Sequence, residues 1–242
     1  MHLKLSPRFD RIRDAFAAVA IAGACLAPVG ASAADGMVVV IANSYQGFLP
    51  GALRDANAVA DKLEADGFDS VRLLDTAGSD MAAGLEKIRS VGEGAGPVRL
   101  VYMTGFGMCL SDDLMVFAED MDPDQFKTGE VGDFVVPVSV VAEAAAEGAD
   151  RTLVVFDTNP RQCTEGDLKA VTLPANTALL VTTGIGGDIV DEIDEGGTSA
   201  FATAFSNGFA SGGDLQAFVG EIVGRIEALT DGQQKPILIG EF

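Results

Sequence analysis

The chain has 242 residues, of which 36 are Asp or Glu and 16 are Lys or Arg, and its formal net charge at pH 7 is −20. A surface of this charge repels nucleic-acid phosphates and anionic lipid headgroups, which excludes nucleic acids as partners and leaves basic or neutral ones. The length suits one or at most two domains.

The first 33 residues are typical of a secretory signal peptide. Basic residues precede the apolar stretch Ala15–Gly30, and the small residues Ala31 and Ala33 form a signal-peptidase pattern. The apolar stretch is shorter than the about 20 residues that a membrane anchor needs. We therefore expect a periplasmic or secreted protein with no membrane span after cleavage, and a mature domain over residues 34–242.

Cleavage removes His2, which is the only histidine, together with Cys25, where lipidation would be the alternative fate of the leader. Ser-His and Cys-His nucleophilic catalysis and histidine-ligated zinc are thereby excluded from the mature domain. The sequence points to no cofactor and to no metal centre. Cys109 and Cys163 remain, and an even pair in an oxidising compartment favours a disulfide over a metal site or a reactive thiol.

Strand and helix patterns alternate along the mature domain. Short apolar runs predict buried strands at Met37–Ala42, Ser70–Asp75, Val98–Gly105, Thr152–Asp157 and Asn176–Thr183. Apolar residues at helical spacing predict helices within residues 51–68, 79–91, 136–149, 199–210 and 215–229, the second of them capped by Ser79 or Asp80. Residues 114–124 resemble a hairpin arm, and residues 235–240 a closing edge strand.

Single helices between strands imply right-handed crossovers. The prediction is one α/β domain with a mostly parallel sheet of about six strands and helices on both faces. Ligands of such sheets bind at the carboxyl ends of the strands. Phe106, held between Gly105 and Gly107 after the third strand, and the residues after Asp157 are both expected at this edge.

Five segments stand in an order that is familiar from one protein family. They read VVVIANSYQGFLPGALRDANAVADKLEADGF, VYMTGFG, LMVFAEDMDP, LVVFDTNPRQ and GQQKPIL. Over residues 37–242 the chain thereby resembles the caspase-like peptidases, particularly the bacterial metacaspase-type domains (the orthocaspases among them). The resemblance implies a caspase-like three-layer fold.

Members of that family cut peptide bonds with a Cys-His dyad, and the resemblance places the histidine on Phe106 and the cysteine on Asn159. An amide cannot replace a thiolate nucleophile, and a phenyl ring cannot transfer a proton. The resemblance therefore implies a pseudopeptidase. Phe106 is expected to fill the space of the imidazole, to pack against the neighbouring strand end and to close the pocket.

The resemblance also places Asp157 at a position that helps to accept a basic side chain, and Arg161 lies in the same segment. The alternative for Asp157 is a strand-end carboxylate that receives backbone hydrogen bonds. If the two strand ends are adjacent, Cys109 and Cys163 flank the vestigial pocket, and we expect them to form a disulfide. Two free thiols or intermolecular pairing are the alternatives.

The acidic segment after residue 118 has Asp120, Asp122 and Asp124 at a spacing similar to that of a calcium loop. Gln125 stands where an EF-hand needs glycine, and Val131 where it needs a bidentate glutamate, so only a loose calcium site is compatible.

Three functions remain open at this point. The first is an exported caspase-like pseudopeptidase that binds a protein or peptide with basic residues through its strand-end groove. The second is an enzyme with non-peptidase chemistry at the same edge, with Asp157, Asn159 and Arg161 as its candidate residues. The third is a purely structural or assembly domain.

Overall fold

The described part of the chain alternates strands and helices. The structure is a computed structural model, and it describes residues 36–121, 135–158, 160–161, 163–184, 197–206 and 215–242. The strands are β1 (Gly36–Ala42), β2 (Asp69–Leu74), β3 (Val98–Thr104), β4 (Gly107–Leu110), β5 (Asp113–Phe117), β6 (Val135–Pro137), β7 (Arg151–Asp157), β8 (Pro160–Arg161), β9 (Thr177–Val181) and β10 (Ile237–Gly240). The helices are α1 (Pro50–Ala65), α2 (Met81–Gly92), α3 (Val138–Ala146), α4 (Glu165–Ala170), α5 (Ala200–Ser206) and α6 (Leu215–Leu229).

Six strands form the main sheet in the order β10-β9-β7-β3-β1-β2. The pairs are parallel except that β10 runs antiparallel to β9 and closes one edge, as the sequence predicts. β3 lies between β1 and β7, and Thr104 at its end is opposite Asp157. The predicted mostly parallel α/β sheet is confirmed, and the carboxyl ends of its central strands share one edge.

The core lies on both faces of this sheet because the side chains of a strand alternate between them. In β1, Met37, Val39 and Ile41 face a cluster that includes residues of α2, α3 and α4. Val38 and Val40 face the opposite cluster, which includes residues of α1, α5 and α6. The result is a three-layer arrangement, consistent with the caspase-like fold that the resemblance implies.

A second, four-stranded sheet in the order β6-β5-β4-β8 stands beyond the carboxyl edge. β4 and β5 form an antiparallel hairpin, whose two turn residues, Ser111 and Asp112, both have positive φ angles (53° and 63°). The predicted hairpin arm is therefore present. The two residues of β8 pair in parallel with β4, so the segment that follows β7 lies beside the segment that follows β3.

A disulfide joins these two segments, because Cys109 of β4 is bonded to Cys163 after β8. Their Cα atoms are 5.0 Å apart and 54 positions apart in sequence. The predicted pairing is confirmed.

Two local details differ from what the sequence indicates. Asp80 is at the N-cap of α2, but its φ and ψ of −96° and −9° are helical rather than extended, and among the described residues its side chain makes no capping hydrogen bond. A 3₁₀ turn, Gly78–Asp80, leads into the helix instead. Helix α4 was not predicted because its six residues bury a single side chain, Leu168, and so carry no apolar stripe.

The predicted signal peptide, residues 1–33, lies outside the described residues. Within the described residues, no helix has the length and apolar character needed to cross a membrane.

We expect the double variant Cys109→Ser/Cys163→Ser to lose about 4 kcal/mol of unfolding free energy, since the disulfide restricts a long loop of the unfolded chain. Urea unfolding followed by circular dichroism measures this loss. Cys109→Ser alone is the matched control and should lose as much. An unfolding midpoint that is the same for reduced and oxidised wild-type protein would contradict the prediction.

Candidate functional site at the carboxyl edge of the sheet

Asp157 ends β7 and is wholly buried, with 1% of its surface exposed. Three side-chain hydroxyls donate hydrogen bonds to its carboxylate. Tyr102 and Ser199 bind Oδ2, each at 2.7 Å, and Thr182 binds Oδ1 at 2.5 Å. The donors are thus hydroxyls from three other segments, not the backbone groups that the sequence offered as an alternative.

A second carboxylate, Asp55, lies beside this cluster. It projects from α1 on the face that carries Ala52, Ala56 and Val59, and it is 5% exposed. The backbone N–H of Ser199 donates to Asp55 Oδ2 at 3.1 Å. Its other oxygen, Oδ1, is buried and receives no hydrogen bond from any residue that the structure describes.

Ser199 links the two carboxylates, which we call the acid pair (Asp55 and Asp157). Its N–H binds one and its hydroxyl the other, while the hydroxyl also accepts the backbone N–H of Ala202 at 3.1 Å and so caps the start of α5. Because its hydroxyl proton is given to Asp157, Ser199 is placed to hold the acid pair in position.

Burial raises the pKa values of both acids, and for Asp55 the charge of Asp157 raises it further. Desolvation is the larger cause for Asp55, the charge of Asp157 adds to it, and together they bring the pKa of Asp55 to about 7. Desolvation also raises the pKa of Asp157, opposed by its three hydroxyl donors. Arg54 is the neighbouring cation, but its Nε is 3.9 Å from Asp55 Oδ1, beyond hydrogen-bond distance.

Phe106 is half-buried at the same edge and packs against the loop after β1. Its ring centroid is 4.6 Å from that of Tyr45 and 5.8 Å from that of Phe48. The hydroxyl of Tyr45 accepts the N–H of Phe106 at 2.9 Å and donates to the carbonyl of Phe117 at 2.9 Å. Tyr45 and Phe48 lie in the loop between β1 and α1, and nothing in the sequence indicated that this loop contacts Phe106.

The two flanking glycines are required by close contacts. A Cβ at Gly105, where φ is +144°, would lie 2.8 Å from the Tyr45 hydroxyl. A Cβ at Gly107 would lie 2.5 Å from the ring of Phe156 and 2.9 Å from Thr158 Oγ1. The Gly-Phe-Gly tip is therefore a packed junction between the two sheets.

Several predicted site residues lie outside what the structure describes. Asn159 is one of them, and of Arg161 only the backbone, in β8, is described. In the acidic segment only Asp120 is described, and its Oδ1 accepts the backbone N–H of Gly78 at 2.8 Å. The rest of the predicted calcium loop lies outside. Among the described residues no cluster of three or more His, Cys, Asp or Glu could hold a metal ion.

Sequence reasoning named Asp157 but missed its partners. The burial of Asp55 could have been predicted, because its carboxylate lies at helical spacing among the apolar residues on the buried face of α1. Tyr102 is a weaker indication, as the only aromatic residue with a hydroxyl in the mostly apolar strand β3. The role of Ser199 could not be predicted, since its hydrogen bonds join it to residues 42 and 144 positions away in sequence.

The arrangement concentrates negative charge, because two buried carboxylates lie together and Asp55 Oδ1 accepts no hydrogen bond from the described residues. The described residues at this edge supply no thiolate or imidazole.

No protein-family model matches this chain, and comparison with curated proteins gives no match either.

The raised pKa of Asp55 predicts a pH-dependent stability. Its carboxyl binds a proton in the folded state up to about pH 7 but in the unfolded state only to about pH 4. The free energy of unfolding should therefore fall as the pH rises from about 4 to about 7 and change little above that. Asp157 contributes in the same direction.

Thermal unfolding at pH 5 and pH 8 tests this prediction. Asp55→Asn should reduce the difference in Tm between the two pH values, because the amide does not titrate. Asp150→Asn, at an exposed carboxylate, is the control and should leave the difference unchanged. Equal pH dependence in both variants would show that Asp55 does not titrate in this range.

Proposed function

We propose that this chain is an exported caspase-like pseudopeptidase that binds a protein or peptide with basic residues at the carboxyl edge of its sheet. The observation that carries the proposal is the acid pair, in which Asp157 is saturated by three hydroxyls while Asp55 Oδ1 is buried without a hydrogen bond from the described residues. A guanidinium or ammonium group supplies both the missing donor and the opposite charge.

The acid pair is suited to recognition because its geometry exists before a ligand arrives. Ser199 and the hydroxyls of Tyr102 and Thr182 hold Asp157 in place, so little side-chain entropy is lost on binding. A cation beside Asp55 also favours its ionised form and removes part of the repulsion between the two acids. Binding should therefore lower the pKa of Asp55.

Arg54 is the internal competitor for this position. Its side chain is 45% exposed and it donates a hydrogen bond to the carbonyl of Gly197, with its Nε 3.9 Å from Asp55 Oδ1. Asp55 itself is buried, and at this distance Arg54 makes no hydrogen bond to its carboxylate, so Arg54 compensates the charge only in part. A ligand cation that hydrogen-bonds to Asp55 Oδ1 makes the closer contact.

The chemistry of the neighbouring positions favours binding over cleavage. Phe106 presents a phenyl ring where the resemblance places the imidazole, and the sequence has an amide, Asn159, where it places the thiolate. A cysteine thiol ionises poorly without a neighbouring base or cation, and the sequence has no thiol at position 159. The disulfide between Cys109 and Cys163 accords with a periplasmic or secreted protein.

We expect an alanine-based peptide with a single arginine to bind without being cut, and Asp55→Asn to weaken that binding at least tenfold. Isothermal titration calorimetry gives the affinity, and mass spectrometry of the incubated peptide detects cleavage. The affinity should rise from pH 6 to pH 8, as Asp55 ionises, and fall with added salt.

Asp150→Asn is the matched control, since it removes one exposed carboxylate and alters the net charge equally. If both variants weaken binding to the same extent, the interaction is a general effect of the acidic surface and the acid pair is not the site. Cleavage of the peptide that stops after thiol alkylation would overturn the pseudopeptidase assignment.

A further inference from the structure

Phe48 is the most exposed large apolar side chain in the described part of the chain. It is 73% exposed, whereas Leu229 and Leu238, the other two of this class, are 39% and 36% exposed. Its ring lies next to Phe106, which in turn packs on Tyr45. These three rings form what we call the aromatic shelf (Tyr45, Phe48 and Phe106).

The loop that presents Phe48 is held in place by specific bonds. Tyr45, Gln46 and Gly47 have consecutive positive φ angles of 52°, 57° and 86°, which is a strained conformation for the two residues that are not glycine. The backbone N–H groups of Tyr45 and Gln46 both donate to the carboxylate of Glu119. The hydrogen bonds to Glu119 thus stabilise the strained loop conformation, in which the ring of Phe48 is exposed to solvent.

Two carboxylates lie beside the loop of the aromatic shelf. Glu119 lies directly beneath the loop, and Asp75 binds the backbone N–H and the hydroxyl of Ser44 one residue before it. The whole chain carries a net charge of −20. An aromatic face in such a field attracts cations, and arginine stacks on exposed rings with particular preference.

The aromatic shelf and the acid pair lie at the same edge. Phe48 stands two residues before α1, and Asp55 is in the second turn of that helix. Helix rise and chain reach limit the distance between their Cα atoms to about 16 Å. An extended peptide covers that distance in about five residues.

We propose that the aromatic shelf is a second subsite, which binds the guanidinium of an arginine lying within about five residues of the one held by the acid pair. This inference rests on the proposed function and narrows the partner to peptide segments with two basic residues. The phenyl ring of Phe106 then has a role of its own, as the support on which Phe48 lies.

Calorimetric titration with acetylated, amidated alanine-based peptides tests the second subsite. One peptide carries a single arginine, and the others carry two arginines separated by zero to four alanines. We expect one spacing to bind about three- to thirtyfold more tightly than the single-arginine peptide. Replacing the second arginine by citrulline, which is neutral and of similar shape, should abolish that gain.

Phe48→Ala should also abolish the gain while leaving the affinity for the single-arginine peptide and the Tm unchanged, because the side chain is mostly exposed. Leu229→Ala is the matched control and should retain the gain. The proposal is overturned if no spacing binds more tightly, if citrulline gives an equal gain, or if Phe48→Ala and Leu229→Ala behave alike.

Failure of the proposed function has a different signature. In that case the single-arginine peptide would bind equally well to wild type and Asp55→Asn, even where Phe48→Ala still removed the gain from a second arginine. Absence of binding by every peptide would overturn both proposals.

Discussion

Two carboxylates are buried together at the carboxyl end of the sheet, and the rest of this edge is arranged around them. A buried carboxylate is costly unless hydrogen bonds or an opposite charge compensate it. Asp157 meets this requirement through hydroxyls from β3, from the end of β9 and from the turn before α5. Those three segments therefore have to meet β7 within hydrogen-bond distance, and Ser199 brings α1 to the same point through Asp55.

The other part of the edge is organised by aromatic packing. The Tyr45 hydroxyl bridges Phe106, at the start of the hairpin, and Phe117, at the end of β5, so the loop after β1 is tied to the second sheet. Phe106 fits this arrangement because it is flanked by glycines that approach neighbouring groups closely. Phe106 thus packs in one aromatic cluster with Tyr45 and Phe48.

The framework of the fold is predictable from local pattern. The short apolar run at Met37–Ala42 predicts a strand that is covered on both faces, and the run that ends at Asp157 predicts another. Helix α4 lacks such a signal, because capping by Thr164 and Asp167 and one buried leucine leave no periodicity. Short helices of this kind depend on tertiary contacts, which cannot be recognised from the local sequence.

The site is less predictable than the fold because its bonds are long-range. Asp157 was identified through a motif at a strand end, whereas the Ser199–Asp55 bond joins residues 144 positions apart. The exposure of Phe48 follows from the handedness of three loop residues and from Glu119, 74 positions from Tyr45. Residue type and spacing indicate which edge carries the site, and the pairings within it require the three-dimensional structure.

The free energy of the acid pair bears on whether this edge is structural or binds a ligand. Replacing buried charged groups by well-packed apolar residues is often neutral or stabilising, so a buried charge gives little support to a purely structural role. Here the cost is increased by repulsion between two acids, and among the described residues Asp55 Oδ1 has no donor to offset it. An apolar residue at position 55 would remove this repulsion, but it would also leave the buried N–H of Ser199 without its acceptor. Under the proposed function, a basic side chain supplies both the donor and the charge that Asp55 Oδ1 lacks, so the oxygen that makes folding more costly is the one that the ligand uses.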